Sequence, residues 1–281
     1  MPIPAYVSRN GVLIPAEQAT VSVFNPAVNG AYGVYESMQV YGGAIFALKD
    51  HLGRLDHSAG LIGLPLPADL QTVARWCLEV VTASNAGECT LRLTVVGAED
   101  GGCPTAYLWT QDSPAYPPSY YTEGVAVVTF EGQRFMPEAK SLNNLVSFLA
   151  RRNAQARGAH ESLLHHDGVL TEGASSNLFV VQGEVLMTPP SYQVLSGVTR
   201  DLVIRLARRN GISLLETPLA RASISAWSEC FITSSSRHIM PVTSVDHKPV
   251  GGGRVGPVTR RLISLFETCF RNATECAEYP L

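Results

Sequence analysis

Residues 161–187 read ESLLHHDGVLTEGASSNLFVVQGEVLM. Short runs rich in Leu, Val and Phe (161–165, 169–171, 177–181, 184–187) are separated by His166-Asp167-Gly168, by Glu172-Gly173-Ala174-Ser175-Ser176 and by Gln182-Gly183. Apolar runs this brief, punctuated by Asp-Gly and Gln-Gly, are strands joined by tight turns. This part of the chain is therefore expected to be barrel-like.

Working outward, residues 143–157 carry Leu145, Val146, Leu149 and Ala156 at helical spacing, with Gly158 as a stop, and residues 125–130 form a β-rich run before them. Downstream, residues 201–209 repeat the helical pattern through Leu202, Val203 and Leu206 and end at Asn210-Gly211. Residues 230–233 read as the last strand and 258–270 as a C-terminal helix. Residues 111–121 (QDSPAYPPSYY) hold three prolines and no hydrophobic periodicity, so they read as a linker. Before them come strand-like segments at 6–14, 33–41 and 44–47, then 52–61, a helical stretch at 70–83, and 89–96. The expected fold class is α/β (α+β): a small N-terminal α/β domain (1–112), an interdomain linker (113–122) and a larger C-terminal pseudo-barrel domain (123–281).

Composition narrows the function. The 281 residues are 46% hydrophobic, ample for packed cores, and the formal net charge of −3 offers no broad attraction for nucleic acid or an anionic membrane. No apolar run approaches the roughly eighteen residues of a membrane span, and the N-terminal Met1-Pro2-Ile3-Pro4-Ala5 lacks the form of an export signal. Cys77, Cys89, Cys103, Cys230, Cys269 and Cys276 are scattered without CxxC or metal-ligand spacing, as reduced cytoplasmic thiols are. The expected partner is a small molecule, and no metal is expected.

Of 21 basic residues only Lys49, Lys140 and Lys248 are lysines; the other eighteen are arginines. Arginine stays protonated and forms no imine, so Schiff-base chemistry here has three side chains to choose from. Lys140 follows Arg134-Phe135-Met136-Pro137-Glu138-Ala139, between an expected strand and the amphipathic helix, where it is either partly buried and reactive or a surface lysine near a helix end. Glu172 closes one short strand, either as a functional carboxylate or as part of a turn. Leu195-Ser196-Gly197-Val198-Thr199-Arg200 leads into the helix expected near Asp201, a seat for phosphate or a simple cap by Thr199. A hydroxyl cluster, Thr233-Ser234-Ser235-Ser236, follows the expected last strand.

Taken together, Arg134-x-Met136-Pro137-Glu138-Ala139-Lys140-Ser141, then TEGASSN (171–177), LSGVTRD (195–201) and FITSSSRHIMPV (231–242) resemble the branched-chain aminotransferase, D-amino-acid aminotransferase and aminodeoxychorismate lyase superfamily, the fold-type IV pyridoxal-phosphate enzymes. In the first domain, Gly33-Val34-Tyr35-Glu36 and His51-Leu52-Gly53-Arg54-Leu55 are similar to the family's substrate strand and its phosphate-binding arginine. The resemblance implies pyridoxal 5′-phosphate as cofactor, with Lys140 as Schiff-base lysine and proton shuttle and Glu172 as partner of the pyridine nitrogen. It implies Arg54, Val198, Thr199 and Ser235 on the phosphate, Leu195 against the ring, and Tyr35, Arg92 and Ser236 on the substrate; Tyr35 can also be read as a core tyrosine. It implies transamination between an amino acid and a 2-keto acid by a cytoplasmic homodimer or higher homo-oligomer. Arg92, in Cys89-Thr90-Leu91-Arg92-Leu93, resembles a branched-chain-type arginine that receives the second carboxylate of 2-oxoglutarate. Val96 stands where D-amino-acid members carry an arginine, so the resemblance favours branched-chain L-amino acids with glutamate. Asn144-Leu145 replaces a tyrosine usual in branched-chain members, Gln39 replaces a basic residue, and residues 239–243 and 255–259 look like (R)-selective amine transaminases. D-amino acids, (R)-amines and the lyase reaction remain alternatives, as does a cofactor-free binding protein on the same scaffold.

Overall fold

An Asn10-Gly11 turn divides the first expected strand into β1 (Tyr6–Arg9) and β2 (Val12–Pro15), which pair antiparallel. Asn10 and Gly11 sit at φ 49° and 85°, the left-handed pair that a two-residue hairpin needs. The computed structural model describes residues 4–98 and 102–275; Cys276 and the first three residues of the N-terminal stretch lie outside them. The chain forms two compact units. One contains the described residues up to Pro114, Ala139–Asn143 and the described residues from Phe270; the other contains Ala115–Glu138 and Asn144–Cys269. Lys140 thus belongs to the first unit, whereas the division read from sequence groups it with the C-terminal part.

In the first unit the chain continues through α1 (Pro26–Gly30), β3 (Gly33–Tyr41), β4 (Ala44–Ile45), α2 (Leu48–Leu61), α3 (Leu70–Ser84), β5 (Glu88–Val96) and β6 (Thr105–Gln111). The six strands are ordered β2-β1-β6-β5-β3-β4. Val34, Met38 and Val40 of β3 and Leu91, Leu93 and Val95 of β5 point into a core shared with Leu52 and Leu55 of α2 and Val73 and Cys77 of α3. Strand alternation sends Tyr35, Ser37 and Gln39 to the opposite, half-buried face. Strand β6 has no counterpart among the strands expected from sequence.

The second unit begins with a short helix, α4 (Ser119–Thr122), inside the stretch read as linker, then β7 (Val125–Glu131), α5 (Leu145–Ala156), β8 (Glu161–His166), β9 (Val169–Gly173), β10 (Ser176–Gln182) and β11 (Val185–Thr188). It continues with α6 (Val198–Arg209), β12 (Leu214–Glu216), β13 (Leu219–Ala220), β14 (Glu229–Ser234), β15 (His238–Val245), β16 (Lys248–Pro249) and α7 (Pro257–Glu275). Strands β10, β14, β15, β7, β8 and β9 pair in that order, and β9 pairs back onto β10, closing a pseudo-barrel. Leu163, Leu170, Leu178, Val180, Ile232, Met240 and Val242 fill one cluster of its core, while Phe179 and Phe231 stack at 4.9 Å on the other side of their strands.

Two further expectations need correction. The strand at 230–233 is not the last: β15 follows it and runs through Pro241, between β14 and β7, with a register shift between Val242 and Ser244. The helix expected from Asp201 starts at Val198, because Val198 and Thr199 are buried and packing outweighs their modest helix propensity.

Candidate active site

Lys140 is the only half-buried lysine; Lys49 and Lys248 are exposed. Its backbone runs beside β3: Tyr35 N–H donates to Lys140 O at 3.0 Å, Leu142 N–H donates to Gly33 O at 2.9 Å, and Lys140 N–H donates to Ser58 Oγ on α2 at 3.0 Å. The ammonium lies 4.6 Å from the centre of the Tyr35 ring, and the Arg92 guanidinium is 5.4 Å from the same ring. Gly33 permits this approach, since a Cβ there would stand 2.6 Å from Leu142 Cδ1 and 2.6 Å from Val95 O. The Val95 oxygen is backbone and cannot swing away. Gly33→Ala is expected to lower unfolding free energy by about 1–3 kcal/mol, the usual range for overpacking, and to disturb the Lys140 segment. Urea denaturation alongside an activity assay checks both.

Glu36 lies in the buried row of β3 with Val34 and Met38, a carboxylate where alternation calls for an apolar side chain. It is held by Arg54, with Nε–Oε1 and Nη2–Oε2 both at 2.7 Å, and by His51 Nδ1 at 2.8 Å from Oε2. Burial alone would raise the Glu36 pKa; the charges and hydrogen bonds of Arg54 and His51 more than reverse this, so the carboxyl stays ionised. Burial lowers the His51 pKa against the pull of Glu36. His51 Nε2 is buried with no hydrogen-bond partner among the described residues.

In the second unit Glu172 is the penultimate residue of β9 and is 4% exposed. Arg134 Nη1 donates to its Oε1 at 3.2 Å and also to Pro137 O at 2.9 Å; Leu195 N–H donates to Oε2 at 3.2 Å. A buried carboxylate stripped of such partners would be costly. Asn177, paired across from Glu172, donates from Nδ2 to Leu195 O at 2.8 Å. A Cβ on Gly197 would fall 2.0 Å from Asn177 Oδ1, so glycine is what lets the 195–197 loop close on this strand. Gly197 is the N-cap of α6 and supplies no side-chain cap, which leaves the first-turn N–H groups of Val198 and Thr199 as an anion seat. Ser235 and Ser236 lie in the loop between β14 and β15. The second unit therefore gathers Glu172, Leu195, Val198 and Thr199, while the first gathers Lys140, Tyr35 and Arg92 and anchors Arg54 on Glu36.

The family model for amino-transferase class IV matches residues 33–245, a span that includes Lys140, Glu172, the α6 N-terminus and the Ser235–Ser236 loop. The chain belongs to the class IV aminotransferases. The branched-chain-amino-acid aminotransferase of Escherichia coli K12 is 32% identical over 291 residues, covering 96% of this chain and 94% of its own. A D-alanine aminotransferase of Bacillus licheniformis is 30% identical, with 94% and 97% covered. Among solved structures, a branched-chain amino acid aminotransferase from T.th. with pyridoxamine 5′-phosphate superposes with a TM-score of 0.91 at 28% identity, covering 99% of this chain and 97% of that one.

This aminotransferase is a pyridoxal-phosphate enzyme of fold type IV, and its residues suit that group. An uncapped helix N-terminus fits a phosphate dianion, a half-buried lysine fits an aldehyde, and a buried carboxylate fits a protonated ring nitrogen. Sequence reading assigns no role to Glu36, His51, Ser58, Arg134 or Asn177. Glu36 had a visible signal, a charge in an otherwise apolar alternating row; the others act through partners distant in sequence.

Proposed function

We propose that this aminotransferase transfers the amino group of a branched-chain L-amino acid to 2-oxoglutarate, with Lys140 as both anchor and proton carrier. The observation that carries the reading is the contrast among the three lysines, of which Lys140 alone is half-buried with its backbone fixed on a core strand. Pyridoxal phosphate supplies an aldehyde that condenses with amines and a protonated ring that accepts electron density from the substrate α-carbon. Lys140 Nζ would hold the aldehyde at rest and, as a free amine, would take the substrate α-proton and carry it onward. Glu172 would keep the proton on the ring nitrogen, with its own charge balanced by Arg134. Arg54, the Val198 and Thr199 N–H groups and the Ser235 hydroxyl would hold the phosphate, and Leu195 would pack on the ring. Tyr35, Arg92 and Ser236 receive substrate, Arg92 taking the distal carboxylate of 2-oxoglutarate.

The E. coli and T.th. relatives, both branched-chain by name, support the donor class. So does Val96, 7% exposed and unable to bind a carboxylate where D-specific members carry arginine. The exposed apolar side chains Phe135, Leu145, Phe148 and Leu149 support a homodimer, and the unpaired buried thiols Cys77, Cys89 and Cys230 a reducing cytoplasm. The deciding experiment adds L-leucine, D-alanine or (R)-1-phenylethylamine separately to the yellow holoenzyme and follows its absorbance. L-leucine is expected to convert the cofactor to the amine form at least about tenfold faster than the others, a difference of about 1.4 kcal/mol in barrier. Faster conversion by D-alanine would transfer the assignment to the D-specific class.

A further inference from the structure

Glu161 opens β8 with its side chain wholly buried, and Arg237, closing the loop before β15, is 12% exposed. The Arg237 fork meets three groups: Nη2 lies 3.5 Å from Glu161 Oε2, Nη1 donates to Ser175 Oγ at 3.1 Å, and Nε donates to His160 Nε2 at 3.2 Å. Its flat face lies 5.7 Å from the centre of the Tyr116 ring. Ser175 Oγ in turn donates to Glu161 Oε2 at 2.9 Å, Ser176 Oγ donates to the same oxygen at 3.4 Å, and Ser162 N–H donates to Oε1 at 3.2 Å. Burial, then the charge of Arg237, pushes the His160 pKa down to about 4, so the ring is neutral and its Nε2 is free to accept.

These contacts join two loops at one end of the barrel. The β9–β10 turn is Ala174-Ser175, two residues after Glu172, and the β14–β15 loop is Ser235-Ser236-Arg237. The ladder between β10 and β14 ends at Asn177 opposite Thr233, and the Arg237 side chain spans the step beyond it.

We propose that Arg237 and Glu161 form a positioning clamp that fixes the turn carrying Glu172 against the loop carrying Ser235 and Ser236, and so sets the spacing between ring-nitrogen and phosphate contacts. The inference rests on the cofactor roles proposed above. Neither clamp residue touches the reacting atoms; both act through the loops. A planar fork serving three acceptors cannot be replaced by the single ammonium of lysine, although lysine still balances the buried Glu161 charge.

That difference supplies the test. The parent, Arg237→Lys, Arg237→Met and Ser175→Ala are compared for apo-protein Tm, for the Kd of pyridoxal phosphate by absorbance titration, and for kcat and KM with L-leucine. Arg237→Lys is expected to keep the parental Tm yet weaken cofactor binding and lower kcat by about tenfold each, as misplaced contacts do. Ser175→Ala is expected to show a smaller loss of the same kind, and either variant suffices should Arg237→Met not fold. Parental Kd and kcat in Arg237→Lys, or losses that merely follow a fall in Tm, overturn the clamp. A parent that neither binds pyridoxal phosphate nor transaminates overturns the functional reading and the clamp with it.

Discussion

Lys140→Ala is expected to reduce transamination by about 10⁴-fold or more, because in the function proposed above one amine serves as covalent anchor and as the base that moves the α-proton. The fold should survive. The interactions that locate residue 140 are made by its backbone, to Ser58 Oγ and from Tyr35 N–H, and alanine keeps both. The ammonium's position over the Tyr35 ring, 4.6 Å from its centre, contributes only about 0.5–1 kcal/mol by the usual scale of such contacts. Lys49→Ala and Lys248→Ala, both at exposed positions, serve as controls and should turn over at the parental rate. Borohydride reduction followed by peptide mapping should label residue 140 in the parent and nothing in the variant. Near-parental turnover in Lys140→Ala, or a label on Lys49 or Lys248, would refute the assignment.

What was legible in the sequence follows from the range of the forces involved. The β8–β11 succession could be read because its punctuation is local: Asp167 and Gly168 turn at φ 49° and 76°, and Gly183 at 62°. The Asn10-Gly11 turn is just as local, yet apolar residues on both sides merged two strands into one reading. Strand β15 was hidden for a different reason. Pro241 lacks an N–H and argues against an interior strand, but the β7 ladder begins only at Val242, so Pro241 is paired with β14 alone. The α6 start was misplaced because Val198 and Thr199 are poor helix formers, held by burial that sequence does not display. In the candidate site, motif residues such as Lys140 and Glu172 could be singled out as candidates, whereas the groups that hold them could not. Arg134 reaches Glu172 across 38 positions and Ser58 reaches Lys140 across 82. Such pairings exist only once the strands are in register.

The Arg134 pairing decides what Glu172→Gln should do. The amide is nearly isosteric but has one acceptor oxygen where Glu172 uses two, so it can accept from Arg134 Nη1 or from Leu195 N–H while its NH2 faces the other donor; the backbone pairing of Glu172 with Asn177 is untouched. Two further things are lost. The neutral side chain no longer balances the buried guanidinium of Arg134, which is 8% exposed, and it no longer favours a proton on the ring nitrogen. The first loss weakens the fold; the second removes the electron sink that makes the substrate α-proton acidic. Because the phosphate contacts proposed for Arg54 and the α6 N-terminus would be untouched, cofactor affinity should fall less than about tenfold while α-proton removal slows by about 10²–10³-fold, within the span of acid–base effects. Single-turnover absorbance with L-leucine and its α-deuterated form separates the two, and the isotope effect should grow as proton transfer becomes rate-limiting. An equal loss in affinity and rate, with no larger isotope effect, would mean that Glu172 supports the pocket and does not control the ring.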